Sequence, residues 1–134
     1  LDYLGNTIDG SVLTNEIESI GNYQSVARST YLHQGFVRIT NNGNGYVGIG
    51  AGTECNVVCG TIKLNVYLER SSGDGNFYSY MKWENVDYNE ASLYLDKEVK
   101  VEKGYYYRLR GYHSCTKNGA IENGASRTNG IYIG

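Results

Sequence analysis

Apolar and polar side chains alternate most clearly between residues 61 and 70. Ile62, Leu64, Val66 and Leu68 take every second place, with Lys63, Asn65, Tyr67 and Glu69 between them. A period of two gives the chain one apolar and one polar face, which is the pattern of a half-buried strand. A second long strand is predicted over 105–114. It sets Tyr105, Tyr107 and Leu109 on one side and Tyr106, Arg108, Arg110 and Tyr112 on the other. Phe36, Val37 and Ile39 mark a further strand, which the Asn- and Gly-rich cluster at 41–45 turns back into 46–51 as a hairpin. Residues 52–56 read as a loop. Residues 71–76 turn the chain into 77–84, where Met81 and Trp83 oppose Tyr78, Tyr80 and Lys82. Short strands follow around Leu93 and Leu95, Val99 and Val101, and at 131–133. Turns are expected at Lys103 and Gly104, at 117–119, and at Asn123 and Gly124.

Before residue 34 the pattern is irregular. Residues 15–20 suffice for one helical turn, too little for a stable helix. The expected fold is all-β: an antiparallel β-sandwich of about seven strands over 34–134, with residues 1–33 as an extended N-terminal arm packed on it. Within the arm, residues 15–29 are expected to be mobile. No internal repeat and no second domain is visible.

Composition agrees with strands and turns. The 134 residues include 14 Tyr, 18 Gly and no Pro. Tyr suits a pleated surface with its hydroxyl at the rim, and Gly supplies turns and bulges. The formal net charge is −2, which offers no general attraction to a phosphate backbone and argues against nucleic acid as a partner. No apolar run approaches the roughly 20 residues of a membrane-spanning helix. Leu1 fits a mature start from which a signal peptide has been removed.

The chemistry-bearing residues are few. Three cysteines, Cys55, Cys59 and Cys115, allow at most one internal disulfide. The expectation is one structural bridge from Cys115 to Cys55 or Cys59, with the third thiol buried. The Cys-x-x-x-Cys spacing has no fourth ligand nearby apart from His113, so no metal and no cofactor are implied. His33 and His113 are the only histidines. His113 reads as a polar residue at a strand end, and no nucleophile-elbow motif accompanies it. Glu69 and Glu84 stand on strands expected to pair, but each has a cation beside it, Arg70 and Lys82, and reads as a solvent-face carboxylate. The cluster at 71–76 lacks the ligand spacing of a calcium loop. The face carrying Tyr106, Arg108, Arg110 and Tyr112 is the candidate for ligand or partner binding, because guanidinium and phenol groups alternate there. The competing reading is a strand face whose arginines pair with neighbouring carboxylates.

Several pieces also carry a resemblance. They are Tyr31 and Leu32 with Gly35, the run Val-Tyr-Leu-Glu-Arg at 66–70, Trp83, and Gly-Tyr-Tyr-Tyr-Arg at 104–108 followed by Gly111, His113 and Ser114. The run Asn-Gly-Ile-Tyr-Ile-Gly at 129–134 and the segment from Ile8 to Thr14 complete the set. In this order the chain resembles a domain-of-unknown-function family of small secreted β-proteins from Firmicutes. The resemblance implies export from a Gram-positive cell and supplies no catalytic residues. Asn129 stands where the family pattern has Asp, which keeps the turn preference and loses the charge. The function expected is therefore a secreted, non-enzymatic binding module for a host or cell-surface protein or glycan. A toxin or bacteriocin-like effector and a small extracellular hydrolase are the alternatives.

Overall fold

A computed structural model describes residues 2–24 and 30–134. These residues form nine strands and no helix. Two of them organise the rest. β5 (Tyr46–Ser71) and β6 (Tyr78–Lys100) form one long antiparallel hairpin. The edge of β5 away from β6 has two successive neighbours. Its first half pairs with β4 (Leu32–Gly43), from Tyr46 opposite Gly43 to Cys55 opposite Leu32. Its second half pairs with β7 (Tyr105–Lys117), from Thr61 opposite Thr116 to Ser71 opposite Tyr106.

A straight strand of 26 residues, at about 3.3 Å per residue, would reach roughly 85 Å, far beyond the width of a domain this size. β5 instead bends where its ladder with β6 is interrupted, between Glu54 and Cys59. The bend folds β4 over β7, so that Val37 on β4 lies against Gly111 on β7. Leu64, Val66, Leu68 and Leu109 from one arm of the bend then meet Val37, Ile39, Val47 and Ile49 from the other, and all eight are buried. Each such burial is worth about 1.5–3 kcal/mol, so the alternation at 62–68 is the main driving pattern of the core.

The remaining strands widen the curl. β8 (Ala120–Arg127) and β9 (Gly130–Ile133) both pair with β7. β3 (Glu18–Gln24) pairs with β4. β1 (Thr7–Ile8) and β2 (Ser11–Thr14) form a small hairpin, and β2 runs parallel to β9. The result is one curled, mixed half-barrel in place of the expected antiparallel sandwich. The reason is physical: continuous β5 belongs to both of the would-be layers, so they never separate into two sheets.

Residues 1–33 likewise do not form an extended arm, since the described part of them supplies β1, β2, β3 and the start of β4. Residues 15–20, a candidate helical turn, lead into β3. Of the stretch 15–29 expected to be mobile, 18–24 are strand and 25–29 lie outside the described residues. Residues 52–56, expected as a loop, continue β5, and the two strands expected within 77–96 are one, β6.

Three tight turns follow their sequence closely. Asp9–Gly10, Asn44–Gly45 and Asn118–Gly119 each place both residues at positive φ, the geometry that twists a two-residue hairpin in the same sense as its strands. Asn123 and Gly124 resemble these pairs but lie inside β8. There the absent side chain of Gly124 makes room for the ring of Tyr23.

Candidate functional site

The outward face of β7 is covered at one end and open at the other. Tyr106 is buried, its ring edge-on to Tyr132 at 5.2 Å. Arg108 is only 2% exposed. Its Nε donates to Glu69 Oε1 at 3.0 Å, while its terminal nitrogens donate to Asp9 Oδ2 (2.7 Å), the Asp9 carbonyl (2.9 Å) and Ser11 Oγ (3.0 Å). The guanidinium carbon sits 4.3 Å from the centre of the Phe77 ring. Arg108 thus clamps the β1–β2 turn onto β7, and the Arg108 guanidinium holds the Asp9 carboxyl below its ordinary pKa. Arg110 also pairs with Glu69, through Nε to Oε1 and through its Nη2 to Oε2, both at 3.0 Å. Its side chain nevertheless remains 46% exposed. Tyr112 is half-buried. Of the four residues singled out on this face, Arg110 is the one that lines a cleft.

That cleft has a volume of about 630 Å³ and is lined by Asp9, Asn22, Arg110, Gly111, Ala125, Ser126 and Arg127. Four elements build it: the β1–β2 turn, β3, β7 and β8. Arg127 is exposed and rests its guanidinium on Gly10, where any side chain would overlap it. Among the described residues Arg127 has no ion pair, although its charge adds to the depression of the Asp9 pKa. Arg108, Arg110 and Arg127 face two carboxylates, Asp9 and Glu69. One positive charge is left over at the mouth.

The floor is Gly111 and Ser126. A side chain at Gly111 would come within 2.7 Å of Ser126 Oγ and 2.8 Å of both His113 Nε2 and a Val37 methyl, so only glycine fits. Below the floor runs a hydrogen-bonded chain. Thr53 Oγ1 donates to the Lys63 carbonyl at 2.9 Å and therefore accepts from His113 Nδ1 at 3.0 Å. That tautomer leaves His113 Nε2 as the acceptor for Ser126 Oγ at 2.7 Å. Burial holds the imidazole neutral, with its pKa lowered to about 4. His113 is thus a wholly buried bridge between the two arms of the curl, not a residue at a strand end. Both of its ring nitrogens are occupied, which removes it as a metal ligand. Glu69 and Glu84 do not meet. Glu69 is held by the two arginines, and exposed Glu84 pairs with Lys82 at 3.2 Å.

The three cysteines form a second cluster at the bend. Their sulfur atoms all lie within 4.8 Å of one another, and none is bonded to another. The expected disulfide is absent from this arrangement. Cys59 and Cys115 are buried against Leu32, while Cys55 is half-buried beside them with Tyr23 and Tyr31. Burial, reinforced by the other two thiols, pushes the Cys55 pKa far up, and burial raises that of Cys115 to about 11.

Arg127, Ser126 and Asn22 had no distinguishing mark in the sequence. They sit on β8 and β3, which meet only through the curl. The one available signal was the run of Gly111 and Gly124 within strands, which marks close approach of a second layer. The model for a family of unknown function (DUF6147) matches residues 8–131, and the chain belongs to that family. No curated protein matches the chain.

Proposed function

We propose that this DUF6147 chain is a non-enzymatic binding module, exported from the cell, whose Arg110–Arg127 cleft takes up an anionic group of a cell-surface glycan. The observation that carries the reading is the charge at the cleft mouth. Arg127 has no carboxylate partner among the described residues, and half-exposed Arg110 is a neighbour whose own charge is already held by Glu69. A carboxylate or sulfate entering there meets one planar fork of donors, with Asn22 and Ser126 offering neutral hydrogen bonds on either side. A concave, polar cleft suits a small charged group better than a flat protein surface, which needs about 800 Å² on each partner. Export rests on the likeness to secreted proteins drawn from the sequence pieces above.

The test is binding to an array of carboxylated and sulfated glycans by wild type, Arg127→Ala and the Arg110→Ala, Arg127→Ala double variant, with Lys63→Ala as a remote control. The expected result is salt-sensitive binding that falls about tenfold or more in Arg127→Ala, as loss of a charge-assisted pair predicts, and is unchanged in Lys63→Ala. Binding that survives the double variant would remove the cleft from consideration. A second reading, a small hydrolase, is favoured by the Ser126–His113–Thr53 chain at the cleft floor. Covalent labelling of Ser126 by a fluorophosphonate, abolished by His113→Gln, would displace the binding-module reading.

A further inference from the structure

We infer that Cys55, Cys59 and Cys115 together form a binding site for one thiophilic divalent cation of the Zn(II) class, with its fourth position open on the Cys55 side. The local backbone is the first reason. In a regular strand, residues four apart are separated by about 13 Å, too far for both to reach one ion. Here the β5–β6 register jumps from Glu54 opposite Ser92 to Cys59 opposite Glu90, so residues 55–58 stand against Ala91 alone. That bulge brings the Cys55 and Cys59 sulfurs to within 4.8 Å of each other and of Cys115 Sγ on β7.

The distances are the second reason. Bonds of about 2.3 Å from sulfur to zinc set the sulfurs of one coordination shell about 3.8–4 Å apart, whereas a disulfide needs about 2.05 Å. A shell of three thiolates requires small adjustments of side chains already converged. A disulfide would employ two of them and strand the third. Surroundings agree with the ion's charge. Three thiolates around a divalent ion leave one negative charge, and Lys117, which donates to the Val58 carbonyl at 3.0 Å, lines the cleft that also holds Cys59. A monovalent ion would leave two negative charges in a largely apolar setting and is disfavoured.

Glu122, opposite Cys115 in the β7–β8 ladder, is not a ligand. Its two oxygens accept the backbone N–H groups of Thr30, Tyr31 and Leu32 at 2.8–2.9 Å. It instead fixes the segment that covers the cluster. Binding exchanges three S–H bonds for three sulfur–metal bonds and releases three protons to solvent, with no change of oxidation state. The open fourth position has its counterpart in Cys55, the half-exposed member of the three.

The experiment titrates the fully reduced protein with Zn(II) against a chromophoric chelator, and with Co(II) to read sulfur-to-metal charge-transfer absorption. The expected result is one ion per chain, strong charge-transfer bands, and protection of all three thiols from alkylation. Cys55→Ser, at the half-exposed position, should keep its fold by circular dichroism and lose roughly a hundredfold in affinity, as removal of one of three first ligands implies. Uptake by the reduced protein no tighter than by the triple serine variant would overturn the proposal. So would a Cys55→Ser variant that binds as wild type does. Closure of one disulfide, leaving a single free thiol and no Zn(II) uptake even after reduction, would assign the cluster to covalent bridging instead.

Discussion

At the scale of single residues, burial changes what a side chain means. Arg108 and His113 both read in the sequence as polar groups on accessible strand positions, and both are enclosed. Arg108 is tolerated because each of its three nitrogens has an acceptor and two carboxylates balance its charge. His113 is tolerated because its environment keeps it neutral. The consequence for pH follows from linkage. The His113 pKa is lowered by burial from 6.5 to about 4, so between those values the unfolded chain binds the proton that the folded chain refuses. Its contribution to stability is full above about pH 6.5 and is lost as the pH falls toward 4. A shift of this size corresponds to roughly 3 kcal/mol. Urea unfolding midpoints should therefore drop across that window, and His113→Gln should flatten the slope. An equally steep slope in the variant would place the titration elsewhere.

Among the elements, the strand glycines carry the most specific information. Gly35 and Gly111 on facing strands leave the space in which the His113 ring sits. Adding a methyl at Gly111 forces Val37, His113 and Ser126 apart at once, and overpacking of this kind costs about 1–3 kcal/mol. Gly111→Ala should lower the melting temperature accordingly. Gly60→Ala should stay close to wild type, because a Cβ there meets its nearest neighbour, the Thr116 carbonyl, at an ordinary 3.6 Å. Similar losses in both variants would mean that the close approach of the layers is not the controlling feature. β6 illustrates a different economy. Among the described residues it pairs on one side only, and the charges along it (Lys82, Glu84, Asp87, Glu90, Asp96, Lys97, Glu98 and Lys100) discourage a second chain from adding to that edge.

For the molecule as a whole, the two ends of the chain are joined. Ser11 Oγ donates to the Thr128 carbonyl at 2.7 Å, the Val12 N–H to Asn129 Oδ1 at 3.0 Å, and Thr14 Oγ1 to the Gly130 carbonyl at 2.9 Å. The Asn129 side chain thus ties the two ends together, using an amide oxygen that an Asp would also provide. Removing residues 1–14 would open the edge of β9 and leave Arg108 without Asp9 and Ser11. Glu69 stays as the partner of Arg108, so the loss is that of its charge-assisted bonds to Asp9 and Ser11, each worth about 1.5–3 kcal/mol, a large share of the stability of a domain this size. The truncated chain is expected to be unfolded or strongly destabilised by circular dichroism and urea titration. A native-like melt would show that β1 and β2 are accessory to the half-barrel.

Much of the fold was legible along the chain because its causes are local. The alternation at 62–68 marks a core strand whatever it packs against, since period two sorts side chains by face. Asn-Gly turns the chain at 44–45 and 118–119 because those residues accept positive φ; Asp-Gly does the same at 9–10, inside a segment expected as an extended arm. The all-β class follows from such short-range preferences. What only the tertiary structure decided is where separate strands meet. Residues 52–56 look like a loop, yet they carry β5 through its bend. Arg127 and Asn22 are unremarkable until the curl brings β8 beside β3. Cys55 and Cys59 converge with Cys115 only because a bulge shortens the path between them. Local pattern specifies which way a side chain faces, whereas register, bulges and the bending of one overlong strand specify what it faces.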